Sequence, residues 1–387
     1  MQFGFWKKLK KPIFAMAPMA NVTDAAFRRI IAKYGKPDVM FTEFVSCDGL
    51  MSVGREKLLV DFMFTEAERP IVAQIFGSKP DNFYKTALLI QELGFDGIDI
   101  NMGCPDRNIE KQGAGAALMK NPKLAQEIIR ETKRGAGKLP VSIKTRIGYN
   151  KNILSEWLLA LLETEPAAII LHARTRKEMS SVPARWEVIA DAVRIRDGYD
   201  NTKNKTLILG NGDVKDLADA EEKIKATGAD GVMIGRGIFG NPWLFAGCHL
   251  PLAKREREGV AEVSAPTPPP PASQARALRA GTPSPPASPC EAWRAGRAEG
   301  DDRDSSRAFG MTVGVKEKLR VMVEHTYLFE KLLGEHKNFD IMKKHYKAYV
   351  NGFNGAKELR IKLMEGARTA GDVERIVRAW LFLNAPV

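Results

Sequence analysis

The first 240 residues alternate between short apolar runs and longer amphipathic segments. Amphipathic stretches such as NFYKTALLIQELG and PKLAQEIIRETKRG separate the runs, and several end at glycine, as helices do. Apolar strands that alternate with helices indicate a parallel sheet covered on both faces. Eight such units predict a (β/α)8 TIM barrel over 1–250. The predicted strands lie at 12–19, 38–45, 70–77, 96–103, 140–148, 167–174, 206–213 and 230–237.

A doubly wound open sheet is the competing architecture for this pattern. It would need a phosphate-binding G-x-G-x-x-G after an early strand, and none occurs there. In a barrel the carboxyl ends of all strands converge on one face, where active sites lie. The polar or soft side chains expected on that face are Met19, Asn21, Glu43, Gln74, Asn101, Cys104, Lys144, Arg146, His172, Arg174, Asn211, Asp213 and Arg236.

The last two strands end in glycine-rich loops, GNGD and IGRGIFG. Backbone N–H groups at such loops bind phosphate, and barrels most often bind phosphate at this place. Arg236 would add a charged contact. The loops therefore predict a phosphate-bearing cofactor at loops 7 and 8, with reactive groups from loops 3 to 6 around its other end.

The segment 101–118, NMGCPDRNIEKQGAGAAL, follows the apolar strand GIDI and is a long polar loop at the carboxyl end of a buried strand, where α/β enzymes keep their reactive residues. Cys104 lies between Gly103 and Pro105, just past the end of that strand. A free cysteine is most often a small buried hydrophobic residue. The glycine, proline and acidic neighbours of Cys104 favour a reactive role instead.

Composition narrows the class of protein. The chain has 387 residues and 44% hydrophobic content, and no apolar run approaches the roughly 18 residues of a membrane span. The start, MQFGFWKKLKKPIF, lacks the apolar core of a signal peptide, so a cytoplasmic protein is expected. The four cysteines are far apart in sequence, which predicts neither a disulfide framework nor a structural metal.

The composition changes sharply after the barrel. Residues 251–310 are proline-rich, cannot bury a core and are expected to form a disordered insertion or linker. Residues 311–387 predict a small bundle of four helices, the last with a capping box formed by Thr369 and Asp372. This segment has 14 basic and 9 acidic residues out of a whole-chain net charge of +12. The run KKHYK at 343–347 suggests a basic patch interleaved with aromatic residues, although a solvated helix surface explains such an excess equally well.

Several motifs together resemble the tRNA-dihydrouridine synthase family. They are APMANVTDAAFR, AQIFG, NMGCP with KQGAGAALM, VSIKTRIG, LHARTR, GNGDV, IGRGIFGNPWLF and, in the last helices, HYKAYVNGFNGAKELR. The resemblance covers about 1–250 and 311–387, and the stretch 251–310 departs from the short connection of the family. It implies an FMN enzyme that uses NADPH to reduce the C5–C6 double bond of selected uridines in tRNA.

The resemblance also implies how the cofactor would be held. Pro18, Met19 and Ala20 would line the flavin ring from the first loop. Gln74 and Lys144 would contact the polar edge of the ring. The ribityl chain and phosphate would be held by His172, Asn211, Gly212, Asp213, Gly235 and Arg236.

The remaining implied roles concern the substrate. Asn101 and Arg174 would bind the uridine, with Asn101 orienting the uracil, and Cys104 would be the general acid. We expect Lys343, Lys344 and Lys347 to contact tRNA phosphates, because Lys343 and Lys347 share a helix face. Reduction needs a hydride at C6, which only the cofactor can carry, and a proton at C5. A thiol of pKa near ~8.5 is protonated at neutral pH, and no histidine beside Cys104 would make it a thiolate.

Two other functions fit parts of the sequence. A flavin barrel that acts on a free pyrimidine, such as a dihydroorotate dehydrogenase, can also carry a cysteine on the active loop, but it does not account for the basic helical segment. A non-catalytic RNA-binding barrel would be colourless and would have no site for FMN.

Overall fold

The computed structural model describes residues 3–199, 205–248 and 313–384. All eight predicted strands are confirmed, and the second divides into two short strands. Neighbouring strands pair in parallel in the order β1-β9-β8-β7-β6-β5-β4-β2, with β3 also on β4. The strands are β1 (Ile13–Met16), β2 (Met40–Phe41), β3 (Val45–Ser46), β4 (Ile71–Phe76), β5 (Gly97–Met102), β6 (Val141–Arg146), β7 (Ala168–His172), β8 (Leu207–Asn211) and β9 (Gly231–Ile234).

The sheet closes on itself. The first strand pairs with the last in parallel, with Ile13 opposite Gly231 and Met16 opposite Ile234. On its other side, the backbone N–H of Met16 donates to the carbonyl of Val39, which leads into β2, at 3.1 Å. An open sheet would leave its two edge strands apart, so these pairings exclude the doubly wound alternative and confirm the (β/α)8 barrel.

Alternation along the strands separates two apolar layers. Ile13 and Ala15 of β1 belong to the cluster inside the barrel, which the buried Trp6 joins from the N-terminal segment. Phe14 and Met16, the intervening residues, pack in the larger cluster between strands and helices. This period of two explains why the predicted runs are apolar throughout, since both faces of each strand are buried.

Local capping residues explain where several helices of the barrel begin or end. Asp24 caps α1, Asn121 precedes Pro122 at the start of α6, and Gly228 ends α9 in the left-handed conformation. The barrel helices are α1 (Ala25–Tyr34), α2 (Cys47–Leu50), α3 (Arg55–Leu59), α4 (Pro80–Glu92), α5 (Arg107–Lys111), α6 (Pro122–Ala136), α7 (Leu154–Leu162), α8 (Glu187–Tyr199) and α9 (Leu217–Thr227).

The sequence NPWLFAG at 241–247 predicts the start of the eighth barrel helix, but no helix is found in the part of this segment that the structure describes. Residues 241–248 form successive turns, each closed by an i to i+3 bond such as Ala246 N–H to the Trp243 carbonyl at 2.8 Å. Gly247 adopts a φ of +71°, a left-handed conformation that interrupts a helix.

Four helices form the predicted C-terminal bundle: α10 (Val315–Leu333), α11 (Met342–Tyr349), α12 (Ala356–Gly366) and α13 (Ala370–Leu383). The capping box of Thr369 and Asp372 at the start of α13 is confirmed. The apolar core of the bundle includes Ala26 and Ile30 of α1 and Trp243. The bundle therefore packs on the barrel through the first barrel helix.

The run 343–347 divides into two faces of α11. Lys344 and Lys347 are exposed, whereas His345 and Tyr346 are buried. The two buried rings pack in the bundle, where His345 also contacts Phe27 of α1. The patch is therefore basic without the interleaved aromatic surface that the sequence suggested.

The remaining sequence predictions concern the proline-rich stretch, membrane spans, metal sites and cysteines. The proline-rich stretch 251–310 lies outside the described residues. In the described part of the chain, no helix is long and apolar enough to cross a membrane. Among the same residues, no group of three histidine, cysteine or acidic side chains is placed to hold a metal ion. Cys47 and Cys104 are free cysteines.

Candidate active site

The strand register places the predicted site residues side by side at the carboxyl ends of the strands. Asn101 of β5 is opposite Lys144 of β6, and Arg146 is opposite His172 of β7. His172 is in turn opposite Asn211 of β8. Lys144 reaches over β7, and its Nζ donates to Asn211 Oδ1 at 3.2 Å. The residues of loops 5 to 8 thus form one continuous polar surface.

A chain of hydrogen bonds runs below this surface, from β6 to the loop that carries Cys104. Asp99 is fully buried in β5 and accepts from Ser142 Oγ at 2.6 Å and from Gln74 Nε2 at 2.7 Å. Gln74 Oε1 then accepts from Asn101 Nδ2 at 3.1 Å. Asn101 Oδ1 accepts the backbone N–H groups of Gly103 at 3.1 Å and Cys104 at 3.0 Å.

The direction of this chain follows from Asp99. An ionised carboxylate only accepts hydrogen bonds, so Gln74 must turn its NH2 toward Asp99 and its oxygen toward Asn101. Asn101 must then present its oxygen to the two N–H groups of the loop. We call this the Asp99 relay; it comprises Asp99, Gln74 and Asn101. Asp99 was not predicted from the sequence, because it lies inside the strand and not at the carboxyl end, where site residues are expected.

The backbone around Cys104 is held from a second side. The Cys104 carbonyl accepts from the N–H of Ala116 at 3.0 Å. Gly115 has a φ of +60°, and a Cβ there would lie 2.9 Å from the Cys104 carbonyl oxygen. Only glycine fits this close approach without displacing the loop, which explains one glycine of the KQGAG motif.

Arg146 connects the Cys104 loop to the loop after β7. Its Nε donates to the Gly103 carbonyl at 2.9 Å, and its Nη1 donates to the carbonyls of Thr175 at 3.1 Å and Met179 at 2.9 Å. The guanidinium is buried, and burial lowers its pKa to about 10. Arg146 was expected on this face, but its clamp on two loops was not foreseen.

Titration of the groups near Cys104 is set mainly by burial. Burial raises the pKa of the Cys104 thiol, and the nearby cations Lys144 and Arg146 only partly oppose this. Burial, followed by repulsion from Arg146, lowers the pKa of Lys144 to about 8. Cys104 is therefore protonated at neutral pH, and Lys144 is still mostly charged.

His172 is neutral in this environment. Burial lowers its pKa to about 2, and repulsion from Lys144, Arg146, Arg174 and Arg236 acts in the same direction. Its Nε2 lies 3.1 Å from Arg174 Nη1, so this nitrogen must be the acceptor. The imidazole therefore contributes a hydrogen-bonding ring without a charge.

Loops 7 and 8 form the predicted phosphate end. Arg236 is exposed and donates to Asp213 Oδ1 at 2.9 Å. The other oxygen of Asp213 accepts from Arg174 and from the Ala184 N–H, and these donors outweigh burial and lower the pKa of Asp213. Arg174 also donates to the Val182 carbonyl at 2.6 Å. The buried Arg174 guanidinium is thus engaged by protein groups.

The first loop lies beside the eighth. A Cβ built on Gly235 would lie 3.7 Å from Met19 Sδ, so the two predicted flavin segments are in contact range. Pro18 is buried, Met19 is half-buried and Ala20 is exposed. Gly212, next to Asn211, has a φ of +122°, and a Cβ there would meet His172 at 3.0 Å. Lys343, Lys344 and Lys347 are on α11, which packs on the end of the eighth loop: a Cβ built on Gly240 would collide with the Ala348 carbonyl oxygen.

The fold and this face are those of a (β/α)8-barrel enzyme with an exposed arginine at the eighth loop and a protonated thiol near two cations. The family description "Dihydrouridine synthase (Dus)" matches residues 15–265. The chain is 44% identical over 247 residues to the probable tRNA-dihydrouridine synthase 2 of Bacillus subtilis (strain 168), covering 63% of this chain and 74% of that one. It is 35% identical over 367 residues to a probable tRNA-dihydrouridine synthase of Staphylococcus aureus (strain COL), covering 94% and 92%.

The chain belongs to the dihydrouridine synthase family. Enzymes of this family are FMN-dependent oxidoreductases that use NADPH as reductant and act on uridines of tRNA. The expected class of enzyme, cofactor and reductant are thereby confirmed. The roles of individual residues stay predictions and are argued below.

Proposed function

We propose that this protein reduces the C5–C6 double bond of specific uridines in tRNA, with Cys104 as the proton donor. The observation that carries the proposal is a half-buried, protonated thiol whose backbone is fixed by Asn101 and whose surroundings are cationic. Because tRNA is the substrate, we expect the protein to act in the cytoplasm.

The residues present fit FMN. Arg236 has an exposed guanidinium beside the glycine-rich loops, which supply backbone N–H donors without side-chain obstruction, as a phosphate requires. Lys144 and the second hydrogen of the Gln74 NH2 group, whose first hydrogen bonds to Asp99, would supply donors for the polar edge of a flavin. Asp213 is a carboxylate and would repel a phosphate directly, so we assign it to orienting Arg236. When bound, FMN supplies the hydride for C6 of the uracil.

The protein supplies the proton and the positive charge. A proton moves from Cys104 Sγ to C5 as the double bond is reduced, which neutralises the charge that hydride addition leaves on the base. Lys144 and Arg146 favour the thiolate that remains, because each lowers the pKa of Cys104. Asn101 Oδ1 is occupied by the N–H groups of the loop, and one hydrogen of its NH2 group bonds to Gln74. We therefore assign the orientation of uracil to the second hydrogen of this NH2 group.

A substrate-profile assay tests this function. Purified protein is expected to be yellow and to convert uridine in whole tRNA, while free uracil and orotate remain unchanged. Turnover of a free pyrimidine at a comparable rate would favour a dihydroorotate dehydrogenase-like enzyme. A colourless protein that takes up no added FMN would favour a non-catalytic RNA-binding barrel.

Replacement of Arg236 by serine is expected to weaken FMN retention by roughly tenfold, because one charged phosphate contact is lost. Flavin released during gel filtration measures the effect, with Arg194→Ser, an exposed arginine of α8, as the control. Full retention of flavin in Arg236→Ser would contradict the assignment of the phosphate to loops 7 and 8.

Replacement of Lys343, Lys344 and Lys347 by glutamine is expected to raise the KM for tRNA and flatten its salt dependence. Lys343 Nζ already pairs with Asp340 at 2.7 Å, so Lys344 and Lys347 should contribute most. Loss of two phosphate contacts lowers the slope of log K against log salt by about 1–2. Titrations of tRNA binding at several salt concentrations provide the measurement.

The control for this variant is the pair Lys357→Gln and Lys362→Gln, which removes two exposed lysines from α12 of the same bundle. FMN content should be unchanged in both variants. If the salt slope of the α11 variant equals that of the wild type, the tRNA surface must lie on the barrel instead.

A further inference from the structure

A lysine of the bundle inserts between two acidic side chains of the barrel. Lys337 follows α10, and its side chain is 13% exposed. Its Nζ lies 2.5 Å from Glu43 Oε2 and 2.7 Å from Asp61 Oδ1. Glu43 follows β2 and is 5% exposed, and Asp61 lies beyond α3. The contact therefore joins the bundle to the barrel at the carboxyl end of the strands.

The second oxygen of Glu43 holds the first loop. Glu43 Oε1 accepts the backbone N–H of Asn21, the residue that directly follows 18–20. Asn21 has a φ of +54°, a left-handed conformation that is unfavourable for a residue with a side chain. A strong acceptor at this N–H helps to maintain that conformation, and with it the path of the loop from Pro18 to Ala20.

The ionised form of Glu43 depends on the positive charge of Lys337. Burial raises the pKa of Glu43, and the nearby Asp61 raises it further, whereas Lys337 lowers it. Burial would lower the pKa of Lys337, but the attraction of Glu43 and Asp61 outweighs burial and raises it. Removal of Lys337 would leave two carboxylates together in a buried place, which is strongly unfavourable. Glu43 would then protonate or move away from Asn21.

We propose that Lys337 is a positioning residue through which the C-terminal bundle fixes the flavin-binding loop, by way of Glu43 and Asn21. This inference rests on the proposed function only in taking 18–20 as part of the FMN site. It gives the bundle a second task besides contact with tRNA. The bundle is then required for the shape of the active site itself.

The same interface offers a matched control. Lys33 of α1 pairs with Glu324 of α10 at 2.5 Å, again joining barrel to bundle. Its side chain is 46% exposed, and the pair lies at the far end of α1 from the first loop. Lys33→Met thus removes an ion pair between the two domains without touching Glu43 or Asn21.

The experiment compares Lys337→Met, Lys337→Arg and Lys33→Met with wild type, each purified with bound FMN. We expect Lys337→Met to release FMN about tenfold faster, measured by the rise of flavin fluorescence, and to shift the visible flavin spectrum. Lys337→Arg should restore slow release, because it retains a cation at the two carboxylates. Lys33→Met should match wild type in both measurements. In Lys337→Met, kcat should fall while the KM for tRNA stays unchanged.

A second variant covers the case in which Lys337→Met folds poorly. Glu43→Gln keeps an oxygen for Asn21 and removes one unpaired charge, so Lys337→Met/Glu43→Gln should fold and retain FMN better than Lys337→Met alone. Equal FMN release by Lys337→Met and Lys33→Met would overturn the inference while leaving the proposed function intact. Failure of the wild type to bind FMN would overturn both.

Discussion

Replacement of Cys104 by alanine is expected to reduce formation of dihydrouridine by roughly 10²–10⁴-fold, the usual contribution of a general acid. FMN content and oxidation of NADPH should remain near wild type, because the change removes only the proton donor for C5. Mass spectrometry of tRNA nucleosides measures the product, and loss of NADPH absorbance measures the first half of the cycle. Cys248→Ala, at a half-buried cysteine outside the proposed active site, is the control and should be fully active.

The pH dependence distinguishes an acid from a nucleophile. Burial raises the pKa of the Cys104 thiol, so the protonated form persists to higher pH than in an ordinary thiol. Product formation should therefore not rise as the pH passes about 8.5, where an ordinary thiol ionises. Loss of the charge on Lys144, whose pKa is about 8, can only lower it. A rate that instead increases with pH as the thiol ionises would identify Cys104 as a nucleophile. Native rates in Cys104→Ala would exclude it from the chemistry altogether.

The fold was predictable because its signals are local and repeated. Each strand is a mainly apolar run that is buried, and polar residues or glycines lie at or soon after its carboxyl end. Since parallel strands of a barrel end on one face, residues at the strand ends such as Asn101, Lys144, His172 and Asn211 are expected close together, and the register places them side by side. The prediction of a helix from 241 was wrong up to 248 because NPWLF has a helix-like composition, whereas Gly247 adopts a left-handed φ.

The supporting contacts of the site were not predictable from the sequence. Lys337 and Glu43 are 294 residues apart, and neither stands in a motif that suggests the other. Asp99 is an acidic residue inside a strand, and nothing in the neighbouring sequence indicates its partners. Only the pairing of β4, β5 and β6 shows that Gln74, Asp99 and Ser142 are opposite one another. Such groups are specified by tertiary register, which a single sequence does not display.

The buried charge of Asp99 destabilises the folded protein at neutral pH. This cost suggests that the Asp99 relay is retained for the active site. Burial raises the pKa of Asp99 from 3.8 to about 6, against the hydrogen bonds from Ser142 and Gln74. The folded state therefore holds this proton more tightly than the unfolded chain. The contribution of Asp99 to the free energy of unfolding decreases as pH rises from about 4 to about 6, and the penalty is fully present at neutral pH.

Replacement of Asp99 by asparagine is expected to separate stability from activity. Asp99→Asn removes the buried charge, so the Tm of this variant relative to wild type should be higher at pH 7.5 than at pH 4.5. The new amide can also donate toward Gln74, so the direction of the relay is no longer fixed, and product formation should fall severalfold. Asp99→Leu removes the acceptor and leaves Gln74 Nε2 without its bond, which costs about 1–3 kcal/mol and predicts a loss of roughly 10–10²-fold.

The position of Cys104 provides a readout that does not depend on turnover. When Asn101 Oδ1 no longer holds the N–H groups of Gly103 and Cys104, the loop loosens and the thiol becomes more accessible. Alkylation of Cys104 by iodoacetamide in the FMN-bound protein, followed by peptide mass, should therefore be faster in Asp99→Leu than in wild type, with Asp99→Asn between them. Alkylation of Cys248 serves as the internal control. Native alkylation and native product formation in both variants would show that the carboxylate does not set the orientation of Asn101, and the loop would then owe its geometry to Arg146 and Ala116 alone.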